Sequence, residues 1–254
     1  MLPVLPIGPV VVPVPAFVLL AGIWLGLALA EREARRLGLD AEAVSNLVFY
    51  SLVAGLIGAR LGHALSHRDA YLADPWALAA LTPATLRAEA GLISGAVTAL
   101  IIARLRGLRL RPTLDALAPG LAVFLVALGL AHLASGDAFG APARLPWSLY
   151  LWDEYRHPTQ LYETLAALAI LFIVRRRLFG PGGDGLNFLL LAALSAAARL
   201  VIEAFRGDSV LLAGGVRAAQ VVSLGVLIAA LYGLRVWARP EAAREPVEAQ
   251  GTGA

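Results

Sequence analysis

Seven apolar stretches divide the chain, at residues 11–30, 44–66, 91–104, 114–134, 159–174, 186–205 and 216–237, with short polar segments between them. A helix that crosses a bilayer needs about 20 apolar residues, within a usual range of about 17–25. Five stretches reach that length, while 91–104 and 159–174 fall short. The pattern predicts an all-α polytopic membrane protein with seven transmembrane helices in a single domain, residues 1–239. The first stretch does not read as a cleaved signal, because no basic residue precedes it. The segment from Pro240 to the end, PEAAREPVEAQGTGA, is polar and reads as a disordered cytoplasmic tail over 240–254. No internal repeat suggests duplicated halves.

Composition strengthens this reading. The chain is 59% hydrophobic and 15% charged, whereas a soluble domain is about 45–50% apolar and about 25% charged. Mean hydropathy is +0.75. The basic pI of 9.7 comes from 21 arginines in short clusters between the apolar stretches, so no nucleic-acid partner is expected. The clusters orient the chain. With the N-terminus outside, the inner side holds 13 arginines: 32, 35, 36, 104, 106, 109, 111, 175, 176, 177, 235, 239 and 244. The outer side holds six, at 68, 87, 144, 156, 206 and 217. Positive charge accumulates on the cytoplasmic side of membrane proteins, which predicts N-out and C-in. The two longer outer loops, 67–90 and 135–158, carry Asp74-Pro75-Trp76, Pro142, Pro146, Trp147, Trp152 and Tyr155. They are expected to lie at the outer interface as short amphipathic helices.

Zero cysteine excludes disulfides, thiolate metal sites and a cysteine nucleophile on this chain. Four scattered histidines argue against a transition-metal site. No Walker loop, GxSxG, HExxH or dinucleotide fingerprint occurs, so neither a metal nor a cofactor is expected.

The ionisable residues of the spans gather on one side. Arg60 and His63 lie in the last turns of the second span, and His132 ends the fourth, followed by Asp137. His157, Gln160 and Glu163 open the fifth, Arg199, Glu203 and Arg206 close the sixth, and Arg217 and Gln220 open the seventh. In the predicted orientation all of them fall in the outer half. Arg199, Glu203 and Arg206 are spaced i, i+4, i+7 and so share a face, with Arg199 and Glu203 as the expected ion pair. Taken singly, Arg206 and Arg217 also fit snorkelling to headgroups, and His63 and His132 also fit helix packing. Arg60 and Arg199 lie too deep to snorkel to the inner interface, and intramembrane charge usually faces the bundle interior. Together these groups predict a single basic cavity open to the outer leaflet. The planar fork of arginine suits a phosphate there, and a phospholipid headgroup is the nearest abundant one.

Five segments resemble the conserved blocks of the bacterial prolipoprotein diacylglyceryl transferases, in the family's order. His157-Pro158-Thr159-Gln160-Leu161-Tyr162-Glu163 is similar to the family's HPSQLYE, and Gly58-Ala59-Arg60-Leu61-Gly62 to its GARLGY segment. Leu145-Pro146-Trp147-Ser148 resembles LPWG, Arg199 to Arg206 resembles RFxVEFFR, and Gln220-Val221-Val222-Ser223 resembles GQxLS. The resemblance spans about 11 to 237. It implies an enzyme of the bacterial inner membrane whose active site faces the periplasm or exterior. Such an enzyme moves the diacylglyceryl group of phosphatidylglycerol to the cysteine thiol of a lipobox in a prolipoprotein signal peptide. The nucleophile then arrives on the substrate, in keeping with a chain that has no cysteine.

The resemblance implies phosphate binding by Arg199 and Gln220, catalytic roles for Arg199 and Glu203, and supporting roles for Gly140, His157 and Glu163; position alone adds Arg60 and Arg206 as candidate phosphate ligands. The first half of the site departs from the family pattern. Glu89 stands where the FHGG block has its histidine. In the segment matching GRIGNFxNGE, Gly129 replaces the first arginine, His132 the first asparagine and Asp137 the glutamate; Pro15 stands near the tyrosine expected in span one. Glu89, His132 and Asp137 are therefore further candidate catalytic residues, with Glu89 or His132 as the base. The alternative is a divergent or catalytically inactive phospholipid-binding member of the family.

Overall fold

Proline sets where the first helix begins. In the computed structural model, which describes residues 4–7, 10–74, 76–77, 85–180 and 182–238, Val4–Ile7 (β1) and Val10–Pro13 (β2) pair as an antiparallel hairpin. Helix α1 (Val14–Arg36) starts three residues later than the apolar pattern suggests, with Pro15 in its first turn. A proline there costs no hydrogen bond, because the first N–H groups of a helix lack intrahelical acceptors. The helix also runs past the predicted end at 30, because ion pairs one turn apart, Arg35 with Glu31 and Arg36 with Glu33, support its polar last turns.

The other six apolar stretches are also helices: α2 (Ala41–Ser66), α4 (Ala88–Leu105), α5 (Leu110–Ser135), α6 (Thr159–Arg175), α7 (Leu186–Ile202) and α8 (Ala218–Trp237). Asp40 caps α2 by accepting from the N–H groups of Glu42 at 2.9 Å and Ala43 at 3.2 Å. Gly136, at φ 86°, ends α5 in the left-handed conformation that glycine adopts without strain. A 3-10 turn, Glu203–Phe205, extends α7 before the chain straightens at Arg206. Among the described residues six helices are long and apolar enough to cross a membrane. The remaining apolar helix, α6, has 17 residues, the lower edge of the spanning range. This is a polytopic helical membrane protein.

The described parts of the two longer loops, 67–90 and 135–158, differ from each other. The first forms a short helix, α3 (Arg68–Ala73). The second is a hairpin instead of the expected amphipathic helix: Leu149–Leu151 (β3) pairs antiparallel with Glu154–Arg156 (β4), in the register Tyr150↔Tyr155. Pro142 and Pro146 each disfavour a helix, by removing an N–H donor and crowding the preceding turn, and Trp152 and Asp153 take φ of 52° and 62° to close the tight turn. Trp147, Tyr150, Trp152 and Tyr155 are exposed, as interfacial aromatic residues are. The predicted tail, 240–254, lies outside the described residues.

The main interfaces pair α1 with α5, α2 with α4, α5 with α6, and α7 with α8. Phe17, Trp24, Ile93 and Ile228 point outward, and α4 has no buried residue. Apolar side chains face outward because hydrocarbon is the solvent here, so helices associate through close backbone approach at small residues. At the α1–α5 crossing a Cβ on Gly120 would stand 2.4 Å from the Gly26 carbonyl oxygen. Gly120→Val is therefore expected to destabilise the protein by about 1–3 kcal/mol. Gly225→Ala serves as the control, since Gly225 has open space around it. Thermal unfolding in detergent should show Tm falling for the first variant and holding for the second; equal melting would refute the close crossing.

Candidate active site

A carboxylate near the start of α6 organises the polar end of the bundle. Glu163 Oε1 accepts from Arg199 Nη1 at 2.9 Å and from Arg206 Nη1 at 2.6 Å. Its Oε2 lies 3.1 Å from His132 Nδ1. Three elements thus converge on one side chain: His132 from the last turn of α5, Arg199 from that of α7, and Arg206 from the extended residue beyond it. Arg199 Nη2 also lies 3.0 Å from Glu203 Oε2, one helical turn away, the pair that the i, i+4 spacing predicts. Glu203 is almost wholly buried. Arg206 is clamped from its other side by Asp208, with Nε to Oδ1 at 2.9 Å and Nη2 to Oδ2 at 2.6 Å.

Arg217 closes the end of α7. Its Nη1 donates to the carbonyl oxygens of Glu203 and of Arg206, the latter at 2.7 Å, and to Ser209 Oγ at 2.7 Å. Helix C-termini leave carbonyls without intrahelical donors, and a guanidinium satisfies several at once. The cluster therefore holds three arginines (199, 206 and 217) and three carboxylates (163, 203 and 208). It is charge-balanced, not strongly basic as the arginine positions alone suggest. Burial accounts for this, because an unpaired buried charge costs several kcal/mol, roughly 3–5 when one partner is removed.

Strand-like pairing fixes the backbone around the cluster. The N–H of Ala141 donates to the Phe205 carbonyl at 2.7 Å, that of Gly207 to Phe139 at 2.9 Å, and that of His157 to Ala141 at 3.0 Å. Gly140 sits at the centre of this weave, bridged to Arg206. A Cβ there would stand 2.2 Å from the His157 carbonyl oxygen, so only glycine fits. His157 packs its ring against Phe205 at 5.1 Å, and its Nδ1 lies 3.4 Å from the Tyr162 hydroxyl, which also accepts from Trp147 Nε1 at 2.9 Å. Gln160 is fully buried, its Nε2 donating to the Asp137 carbonyl at 2.9 Å.

From the Glu163 cluster a cavity of about 370 Å³ runs down between α5, α6, α7 and α8. Its polar mouth is formed by His132, Glu163 and Arg199, and its body by Leu125, Ala167, Ile170, Ala196 and Val226, among others. Ser195 and Ser223 are the remaining polar side chains on its walls. A charged mouth above an apolar shaft has the polarity profile of a lipid, headgroup first and acyl chain behind. Gly129 lines the cavity where α5 and α6 touch: a Cβ there would stand 2.5 Å from Thr164 Oγ1 and 3.0 Å from the Thr164 nitrogen. The glycine at this position brings Glu163, one residue before Thr164, within reach of His132.

Several predicted site residues stand elsewhere. Arg60 is buried on α2, which packs against α4 and α1 rather than α6 or α7. It hydrogen-bonds Thr85 and the Ala77 carbonyl, and its guanidinium lies over the Tyr71 ring at 5.3 Å. Arg60 thus does not line the cavity at Glu163, and it ties down the described part of the 67–90 loop. Glu89 is largely exposed in the first turn of α4, 3.9 Å from Arg87. Gln220 reaches the Leu200 carbonyl at 3.3 Å, beside the cavity. Asp137 enters through its backbone carbonyl, with its residue exposed. Sequence reasoning missed Asp208: helical spacing puts i+2 on the opposite face, and only the straightened chain at Arg206 lets the two meet.

Comparison with known proteins agrees with this architecture. Residues 3–236 match the family model of prolipoprotein diacylglyceryl transferase. Similar proteins named phosphatidylglycerol–prolipoprotein diacylglyceryl transferase occur in Thermus thermophilus (30% identity, 94% of this chain and 99% of the relative) and Gloeobacter violaceus (29%, 94% and 95%). Another is that of Synechococcus elongatus, at 27% identity over 91% of this chain and 85% of the relative. With the match running through every apolar helix from α1 to α8, the chain belongs to the prolipoprotein diacylglyceryl transferase family.

Proposed function

We propose that the protein transfers the diacylglyceryl group of phosphatidylglycerol to the thiol of a lipobox cysteine in a prolipoprotein signal peptide. The observation that carries this reading is the cavity between α5 and α8, whose mouth joins His132, Glu163 and Arg199 above an apolar shaft. Acyl chain enters the shaft and phosphate meets the arginines. A thioether bond forms between the cysteine sulfur and the terminal glyceryl carbon, while the bond from that carbon to the phosphate oxygen breaks. The thiol proton goes to a base, and the electron pair of the broken bond leaves on glycerol phosphate.

Arg199 is the phosphate-facing cation of this scheme, as it lines the cavity and is the more exposed of the two arginines on Glu163. Charge that develops on the leaving phosphate oxygen is stabilised by a donor already oriented by Glu163 and Glu203. His132 is the base. With Nδ1 protonated and held by Glu163, its Nε2 is left as the acceptor, the arrangement by which a carboxylate orients a catalytic imidazole. The exposed position of Glu89 on α4 argues against it in this role. Arg206 and Gly140 position Glu163 and the end of α7 without lining the cavity.

In the membrane the seven apolar helices all span, with the N-terminus outside, the tail in the cytoplasm and the Glu163 cluster facing the periplasm or exterior of a bacterial inner membrane. The arginine distribution supports this orientation. Because the chain lacks cysteine, single introduced thiols report it cleanly. Glu154→Cys should react with an impermeant maleimide in intact spheroplasts, and Leu178→Cys only after permeabilisation; the reverse pattern would invert the topology.

The transfer itself is read by mass spectrometry of a lipobox peptide incubated with the purified protein in phosphatidylglycerol micelles. Arg199→Ala should lower the rate about a hundredfold or more, the scale of losing a donor to developing charge. His132→Gln should lower it about 10²–10⁴-fold. Unchanged rates in both variants would remove these residues from the reaction. No product from the wild type, with phosphatidylglycerol still bound, would instead assign a lipid-binding role.

A further inference from the structure

The opposite end of the bundle holds a second polar cavity, of about 210 Å³, between α1, α5, α6 and α7. Six of its nine lining residues are charged or polar: Arg32, Glu33, Asp115, Arg175, Arg177 and Asn187. Its carboxylates are already committed. Asp115 is buried and accepts three backbone N–H groups, from Gly183 at 2.8 Å, Gly185 at 3.0 Å and Phe188 at 3.0 Å, which secures the turn into α7. Glu33 binds Arg36 and also Arg177, the latter at 2.9 Å.

Two cations remain. Arg32 and Arg175 line the cavity, and neither has a carboxylate partner among the described residues. A second observation is independent of charge. Asn187 is 5% exposed, lines the same cavity, and its Oδ1 is buried without a hydrogen-bond donor. A buried amide oxygen without a partner costs about 1–3 kcal/mol, so it calls for a donor from whatever fills the space. Two free guanidinium groups beside one free acceptor form a site for an anion that also carries a hydroxyl.

We infer that this cavity binds a phosphate ester bearing a hydroxyl, with Arg32 and Arg175 on the phosphate and Asn187 Oδ1 accepting from the hydroxyl. Its place at the arginine-rich ends of the helices, where basic pockets between spans take anionic headgroups, points to a phospholipid of the adjoining leaflet. The leaflet rests on the orientation proposed above; the site does not. It lies at the other end of α5, α6 and α7 from the Glu163 cluster, so its ligand is not the one undergoing transfer.

Native mass spectrometry of the full chain in detergent, titrated with dioleoylphosphatidylglycerol or dioleoylphosphatidylcholine, tests the site. The Arg32→Gln/Arg175→Gln variant should bind phosphatidylglycerol about tenfold more weakly at one of two sites, the scale of losing charge-assisted contacts. Phosphatidylcholine binding and diacylglyceryl transfer should stay as in the wild type. The same drop should appear in an Arg199→Ala background, which separates it from the cavity at the other end. Arg32→Lys/Arg175→Lys keeps the topology-setting charge and should retain most of the binding, which controls for insertion. Asn187→Ala should reduce the preference for phosphatidylglycerol over dioleoylphosphatidic acid, which lacks the glycerol hydroxyls. Unaltered phosphatidylglycerol binding in the Gln variant, or an equal loss for phosphatidylcholine, would overturn the site. Displacement of the lipid by millimolar glycerol 3-phosphate or inorganic phosphate would keep the anion site but assign it to a soluble phosphate.

Discussion

Everything at the polar end of the bundle depends on a single carboxylate surrounded by cations. Glu163 holds Arg199, Arg206 and His132 at once, and the three come from different elements. Charged hydrogen bonds in a dry environment are stronger than those in water, and their absence is correspondingly more costly. Removing this carboxylate would leave two guanidinium groups competing for Glu203 and Asp208, and an imidazole without an orienting partner. The cluster is thus a unit in which position and charge state are set together.

The backbone is shaped to permit that convergence. Glu163 reaches His132 because α5 and α6 touch at Gly129 and Thr164, where any side chain would force them apart. Arg206 reaches Glu163 because α7 stops being helical at Ile202, passes through a 3-10 turn and straightens, so that residue 206 pairs with Gly140 as a strand would. Arg217 then satisfies the carbonyls that this early ending exposes. These departures from regular structure are matched by a specific donor at the end of α7 and by the absence of a Cβ at Gly129 and Gly140. In a membrane that matching is obligatory, since water is not available to complete it.

Much of this was legible in the sequence, and the limits have physical reasons. The apolar pattern located all seven helices, because a segment surrounded by hydrocarbon must be apolar and satisfy its backbone internally. The Arg199–Glu203 pair followed from helical spacing alone. Helix pairing did not follow, because the outward and inward faces of a membrane helix are both apolar and carry little moment to distinguish them. Arg60 and Arg199 occupy similar depths in the sequence pattern, yet small residues place α2 against α4 and leave Arg60 with Thr85 and Ala77. The hairpin at Leu149–Arg156 was hidden because interfacial aromatic residues suit a helix and a strand equally, and only the two prolines weighed against the helix. Glu163 was expected to support the site rather than organise it, because a sequence shows which charges share a face and not how many partners one of them has.

The two ends of the bundle solve the same electrostatic problem in opposite ways. At the Glu163 end three arginines meet three carboxylates, so the phosphate of the proposed reaction would compete with internal anions for Arg199, and its binding would reorganise existing pairs. That suits a site where charge moves during a reaction, since a guanidinium shared between a fixed carboxylate and a leaving phosphate can follow the negative charge as it develops. At the other end Asp115 is spent on backbone N–H groups and Glu33 on Arg36 and Arg177, so among the described residues Arg32 and Arg175 face their cavity without a carboxylate partner. An anion there gains without displacing anything, which suits steady occupancy. The difference between a poised and a resting anion site thus lies in where the carboxylates are committed, and arginine counts alone, which favour the second end, would rank the two the wrong way round for chemistry.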